Sequence, residues 1–119
     1  MLLADDHEIV RAGLISLLGE EGTIQVVGEA ANGREAINLA AELQPDVVVM
    51  DVSMPLIDGD EATRQIKRHL PNTRVVALSM FEDPDTAERM HAAGAEAYIL
   101  KTAPAEDLLA VIRGKASDS

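Results

Sequence analysis

At 119 residues the chain is long enough for one compact domain with its own core and too short for two. The absence of cysteine excludes a disulfide framework and a thiolate metal site, and no apolar stretch approaches the ~20 residues of a membrane span. Ten basic against twenty-one acidic side chains, a formal net charge of −11, repel polyphosphate backbones, so direct nucleic-acid or membrane binding by these residues is not expected.

The chain opens on a short apolar run, residues 1–4, which ends in Asp5-Asp6 and reads as a strand. A helix near 7–20 follows, with Val10, Leu14, Leu17 and Leu18 on one stripe. A second strand is expected near 24–30, and Asn32-Gly33 and Pro45 bracket a helix near 33–43. The third strand, near 46–50, runs through Val47-Val48-Val49-Met50 into Asp51. Ser53, Met54, Pro55 and Asp58-Gly59 then lead to a helix near 59–70, acidic at its start and basic at its end, as the helix dipole favours. The fourth strand, near 74–78, ends at Ser79; Asp83 and Pro84 open a helix near 84–93, and Gly94 stands where a left-handed residue closes it. A fifth strand near 97–100 ends at Lys101, before a helix near 104–113 with Leu108, Leu109 and Ile112 on its stripe. Residues 114–119 lose this periodicity and read as the start of a linker.

Buried-strand runs alternating with amphipathic helices predict an α/β fold: a doubly wound parallel sheet of five strand–helix units, for which the flavodoxin-like order 2-1-3-4-5 is the common choice. In such sheets ligands bind beyond the carboxyl ends of the strands. Asp5, Asp6, Asp51, Ser79 and Lys101 therefore converge on one crevice. An isolated Asp-Asp pair usually caps a helix; its coincidence with Asp51 makes an oxygen-only ligand set suited to Mg2+, with the Ser53 backbone carbonyl as a further candidate ligand. Soft metals are disfavoured, because sulfur and a histidine cluster are missing. Asp51 is the candidate nucleophile for a phosphoryl group, Lys101 a point charge for one phosphoryl oxygen and Ser79 a hydrogen-bond donor to another.

The acidic pair Asp5-Asp6, Asp51 with Met54-Pro55 and Asp58-Gly59 downstream, Ser79 and Lys101 together resemble the signature of a receiver domain of a two-component response regulator. The segments from Leu2 to Leu14 and from Tyr98 to Lys101 are most similar to the NarL/FixJ (LuxR-type) regulators. The resemblance implies phosphorylation of Asp51 by a sensor histidine kinase with Mg2+ bound, and a switch in which Ser79 and Tyr98 move. It also implies phosphorylation-dependent homodimerisation, with Met90 and Leu109 as candidates for the rearranged face. Residues 1–113 would be the receiver, and 114–119 the start of a linker to a C-terminal helix-turn-helix domain through which alone DNA is bound. Such a domain is a cytoplasmic signalling element, catalysing only its own phosphorylation and dephosphorylation. Two positions depart from the common pattern: Ser79 stands where threonine is more frequent, and Thr102 follows Lys101 where most receivers carry proline.

Two other readings fit the residues. A Mg2+-dependent phosphohydrolase or phosphotransferase would form the same aspartyl phosphate, but it commonly carries a second acid-base Asp two residues after the nucleophile, where Ser53 stands here. A flavodoxin-type binding module would need a glycine-rich phosphate cradle and stacking aromatics, and the chain has one Tyr and one Phe.

Overall fold

The computed structural model describes residues 1–19, 24–54 and 56–113. Five strands alternate with five helices: β1 Leu2–Ala4, α1 Glu8–Gly19, β2 Gly28–Ala30, α2 Gly33–Leu43, β3 Val47–Asp51, α3 Gly59–His69, β4 Arg74–Ser79, α4 Pro84–Ala93, β5 Ala97–Leu100 and α5 Ala105–Ile112. All pairings are parallel and the order is β2-β1-β3-β4-β5, the flavodoxin-like topology expected. The reversal of strand order falls between β1 and β3.

The sheet is covered on both faces, which is why β1, β3 and β4 carry continuous buried apolar runs rather than alternating ones, while the edge strand β2 exposes Glu29. One face packs Leu2, Val48, Met50, Val75 and Ala77 against α2, α3 and α4 through Ala36, Ala40, Ala62, Ile66 and Met90. The other packs Leu3, Val49, Val76 and Leu78 against α1 and α5 through Leu18, Leu108 and Ile112. Met90 is only 1% exposed, so it is a core residue and does not present the interaction surface suggested for it.

Local signals set most of the element boundaries. The Asn32 side chain accepts from the Glu35 N–H, and Glu35 Oε1 in turn accepts from the Ala31 N–H, close to a capping box. Asp83 caps α4 ahead of Pro84, and Gly94 closes it at φ 120°. Two boundaries differ from expectation. β2 begins at Gly28 instead of near residue 24, because the ladder with β1 starts at Leu2; further upstream the Met1 ammonium donates to the Gln25 carbonyl and the Val27 N–H donates to the Met1 carbonyl, while Ile24 and Val26 pack against the core. α5 begins at Ala105, with Pro104 as an extended N-cap that makes no side-chain cap bond. Glu20, Pro55 and the suggested linker 114–119 lie outside the described residues.

Candidate functional site

Strand register builds the site. Ala4 lies opposite Met50, so the next pair along β1 and β3 is Asp5 beside Asp51. The Asp5 N–H donates to the Ala30 carbonyl and the Val52 N–H to that of Leu78, carrying the ladder pattern just past the strand ends. Ser79 closes β4 opposite Leu100, and the Lys101 N–H donates to the Ser79 carbonyl at 2.7 Å. Four of the candidates thus sit at the carboxyl edge of neighbouring strands, as the sequence predicts.

The Lys101 ammonium lies 2.8 Å from Oδ2 of Asp5 and 3.1 Å from Oδ2 of Asp51, and all three side chains are at most 5% exposed. Neither Oδ2 receives a well-directed hydrogen bond, so these two buried oxygens have charge compensation but unused acceptor capacity. Oδ1 of Asp51 accepts from the Ser53 N–H at 3.2 Å, and Oδ1 of Asp5 accepts from the His7 N–H at 2.8 Å. Asp6 is more exposed, yet Asp5, Asp6, His7 and Asp51 each bring a ligand atom within 4.8 Å of the others. A hard divalent cation fits this set: it would fill the unused acceptor capacity of two buried carboxylates.

The charges shift one another. Burial pushes the Asp51 carboxyl up; the Ser53 N–H and Lys101 pull it down, Asp5 opposes them, and the balance leaves it raised to about 6. At Asp5 burial acts in the same direction, but the adjacent Lys101 ammonium and the hydrogen bond from the His7 backbone outweigh it and hold the carboxyl below its ordinary value. Burial lowers Lys101, and its bond to Asp5 with the charge of Asp51 more than reverses this, so the ammonium is held above its ordinary value.

Ser79 and Tyr98 do not reach Asp51 here. They meet at one backbone group instead: the Ser79 hydroxyl donates to the Phe81 carbonyl at 3.0 Å and accepts from the Phe81 N–H at 3.1 Å, while the Tyr98 hydroxyl donates to the same carbonyl at 2.8 Å. The β4–α4 loop is held by both side chains. Between it and the β3–α3 loop lies a cleft of about 510 Å³ lined by Val52, Ser53, Asp58, Ser79, Phe81 and Met90. A larger cleft, about 660 Å³, lies at the opposite end of the sheet around Met1, Asp46, Arg74 and Ile112 and contains none of the site residues.

The β3–α3 loop is fixed from two sides by glycines. A Cβ on Gly59 would stand 2.2 Å from the Asp51 carbonyl oxygen, and one on Gly33 would stand 2.1 Å from that of Ile57. Two residues that sequence reasoning did not single out also shape the site. His7 places Nδ1 at 3.2 Å from Asp5, 3.1 Å from Asp6 and 4.0 Å from Asp51. Arg11, four residues further along α1, donates to the Asp5 backbone carbonyl and pairs with Glu29. Their signal in the sequence is position alone: His7 follows the acidic pair directly, and Arg11 is one helical turn on.

Residues 1–113 match the family model of the response regulator receiver domain. The response regulator protein VraR of Staphylococcus aureus is 46% identical over 113 residues, which are 95% of this chain and 54% of that protein. The chain thus spans about half the length of the curated relatives it matches. A two-component response regulator of the LuxR family from Aurantimonas sp. superposes with a TM-score of 0.89 at 38% identity, over 98% of this chain and 84% of the other. A response regulator protein from Burkholderia pseudomallei, solved with a phosphorylated aspartic acid, a calcium ion and citrate, superposes with a TM-score of 0.85 at 25% identity, over 98% and 68%.

Proposed function

This chain belongs to the receiver domains of two-component response regulators, of the LuxR (NarL/FixJ) type, and from that premise we propose that Asp51 accepts a phosphoryl group from a sensor histidine kinase in the presence of Mg2+. The observation that carries this reading is the in-register pair Asp5 and Asp51, with Lys101 bridging both buried carboxylates. The Burkholderia relative with its phosphorylated aspartic acid and calcium ion supports it.

In the transfer, a carboxylate oxygen of Asp51 bonds to phosphorus as the donor's N–P bond breaks, the electron pair leaving with the imidazole nitrogen. Asp5, Asp6, Asp51 and the Ser53 backbone carbonyl would hold Mg2+, which when bound offsets the repulsion between carboxylates and phosphoryl oxygens. Lys101 moves its ammonium from Asp51 Oδ2 to a phosphoryl oxygen and keeps Asp5 as its partner. Ser79 turns its hydroxyl from the Phe81 carbonyl to another phosphoryl oxygen. That releases half of the tie on the β4–α4 loop, and Tyr98, its anchor displaced, turns inward. The result biases a two-state equilibrium at α4, β5 and α5.

The exposed apolar side chains of Ile9, Leu56, Met80 and Phe81 follow the strand ends around the site and offer a kinase helix area to bury. The switched face would control homodimerisation and a helix-turn-helix effector through which DNA is bound; the greater length of the relatives supports such a second domain. Water attack on the acyl phosphate resets the site, so the chain acts as a cytoplasmic signalling domain that catalyses only its own phosphorylation and dephosphorylation. Among the described residues no helix is long and apolar enough to cross a membrane.

Intact mass spectrometry after incubation with acetyl phosphate tests the reading. Wild type should gain one phosphoryl mass with Mg2+ and none with EDTA, and Asp51→Asn should gain none. Equal gain by Asp51→Asn would overturn it.

A further inference from the structure

The carboxylates explain affinity for a hard cation; they leave the imidazole of His7 unexplained. Its Nδ1 lies 3.1 and 3.2 Å from carboxylate oxygens of Asp6 and Asp5 and 4.0 Å from Oδ2 of Asp51, at the solvent side of the cluster. With carboxylates alone around it, Nδ1 is suited to carry a hydrogen and donate to Asp5 Oδ1. The other tautomer turns a lone pair toward the same point, which only a cation between the groups makes favourable. Asp5, Asp6, His7 and Asp51 each offer one ligand atom, all within 4.8 Å of one another, and Oδ2 of Asp5 and of Asp51 are buried without a well-directed hydrogen bond, so Nδ1 faces a cluster that holds unused donor capacity.

We propose that His7 is a direct ligand of the divalent cation, making this a mixed nitrogen–oxygen site that favours first-row transition cations over Mg2+ more strongly than the carboxylates alone would. The inference rests on the reading that Asp5, Asp6 and Asp51 hold a cation at all. Imidazole suits Ni2+ and Zn2+ and adds little for Mg2+, which prefers oxygen and retains its waters; Mn2+ serves as a paramagnetic probe of the same ligands. Such an ion would occupy the phosphoryl-accepting site and compete there with Mg2+.

The test compares untagged wild type, His7→Asn and Asp51→Asn. Calorimetric titration with NiCl2 and with MgCl2 gives the two affinities, and pulsed EPR of the Mn2+-loaded protein reports any directly coordinated nitrogen. Ni2+ affinity should fall about tenfold or more in His7→Asn, with a smaller loss for Mg2+. The nitrogen modulation of Mn2+ should be present in wild type and absent in His7→Asn. His69 and His91 cannot supply it, since they stand near the carboxyl ends of α3 and α4, at the end of the sheet where β4 and β5 begin. Nitrogen modulation that persists in His7→Asn, or an unchanged ratio of Ni2+ to Mg2+ affinity, would overturn the assignment of His7 while leaving the carboxylate site intact. A Mn2+ signal that stays that of the free aquo ion in wild type, with no heat from either titrant, would overturn the carboxylate site as well.

Discussion

Lys101 compensates two buried carboxylates at once, so its removal is costlier than the loss of an ordinary surface pair. In cation-free buffer Lys101→Ala should lose about 3 kcal/mol in urea unfolding, because Asp5 and Asp51 are left facing each other without a counter-charge. Added Mg2+ should recover part of that loss; no destabilisation at all would contradict the electrostatic account. Asp51 carries the opposite sign. Its carboxyl binds a proton more tightly folded than unfolded, so its contribution to stability is full below the ordinary value of 3.8 and is lost as the pH rises through about 6. Asp51→Asn should therefore stabilise the cation-free protein by about 1–2 kcal/mol near pH 8, and the gain should shrink towards pH 5. Asp5, Asp51, Ser79 and Lys101 are legible in the sequence because each ends an apolar run, and strand ends in a parallel sheet share one edge. His7 is not, because nothing in a sequence tells which way an imidazole just past a strand will turn. Nor is the shared hold of Ser79 and Tyr98 on the Phe81 carbonyl, since backbone acceptors carry no residue signature.

Between elements, close approach decides what side chains are allowed. Gly59→Ala would drive a methyl into the Asp51 carbonyl, a backbone atom that cannot give way cheaply. A loss of at least about 2 kcal/mol is expected, with Mg2+-dependent phosphorylation impaired because Asp51 itself is displaced; wild-type melting and labelling would refute the packing argument. At the far end of the sheet Arg74 pairs with Glu96 and donates to the carbonyls of Val111 and Ile112, tying β4 to the last turn of α5. The Arg74 hydrogen bond outweighs burial and holds the Glu96 carboxyl below its ordinary 4.5. The stability it supplies is therefore complete above that value and is lost as the pH falls through the depressed one. For this partly exposed pair the loss should be at most about 1 kcal/mol, abolished in Glu96→Gln and read as faster amide exchange in the last turn of α5 at low pH. The helices and four of the five strands can be read from periodicity and capping residues. β2 is overextended in that reading because residues 24–27 have strand-like side chains, whereas a ladder needs a partner strand of matching length.

For the whole molecule, the −11 charge argues against an unassisted encounter with DNA, while the switch point of the sheet gathers three acidic side chains and one lysine into one cluster. The flavodoxin-like order could be expected from the alternation of elements, yet strand order itself is set by packing between distant segments and becomes visible only in the folded chain. What α4, β5 and α5 would pass on depends on how Ser79 and Tyr98 divide their hold on one loop. The claim on which all of this depends is that Asp51 is the phosphoacceptor. Borohydride reduction of protein treated with acetyl phosphate and Mg2+ converts an aspartyl phosphate to homoserine, and peptide mass spectrometry locates it. Homoserine at Asp51, absent when Mg2+ is withheld, is the expected result; homoserine at Asp5 or Asp6, or at no carboxylate under any condition, would contradict the account.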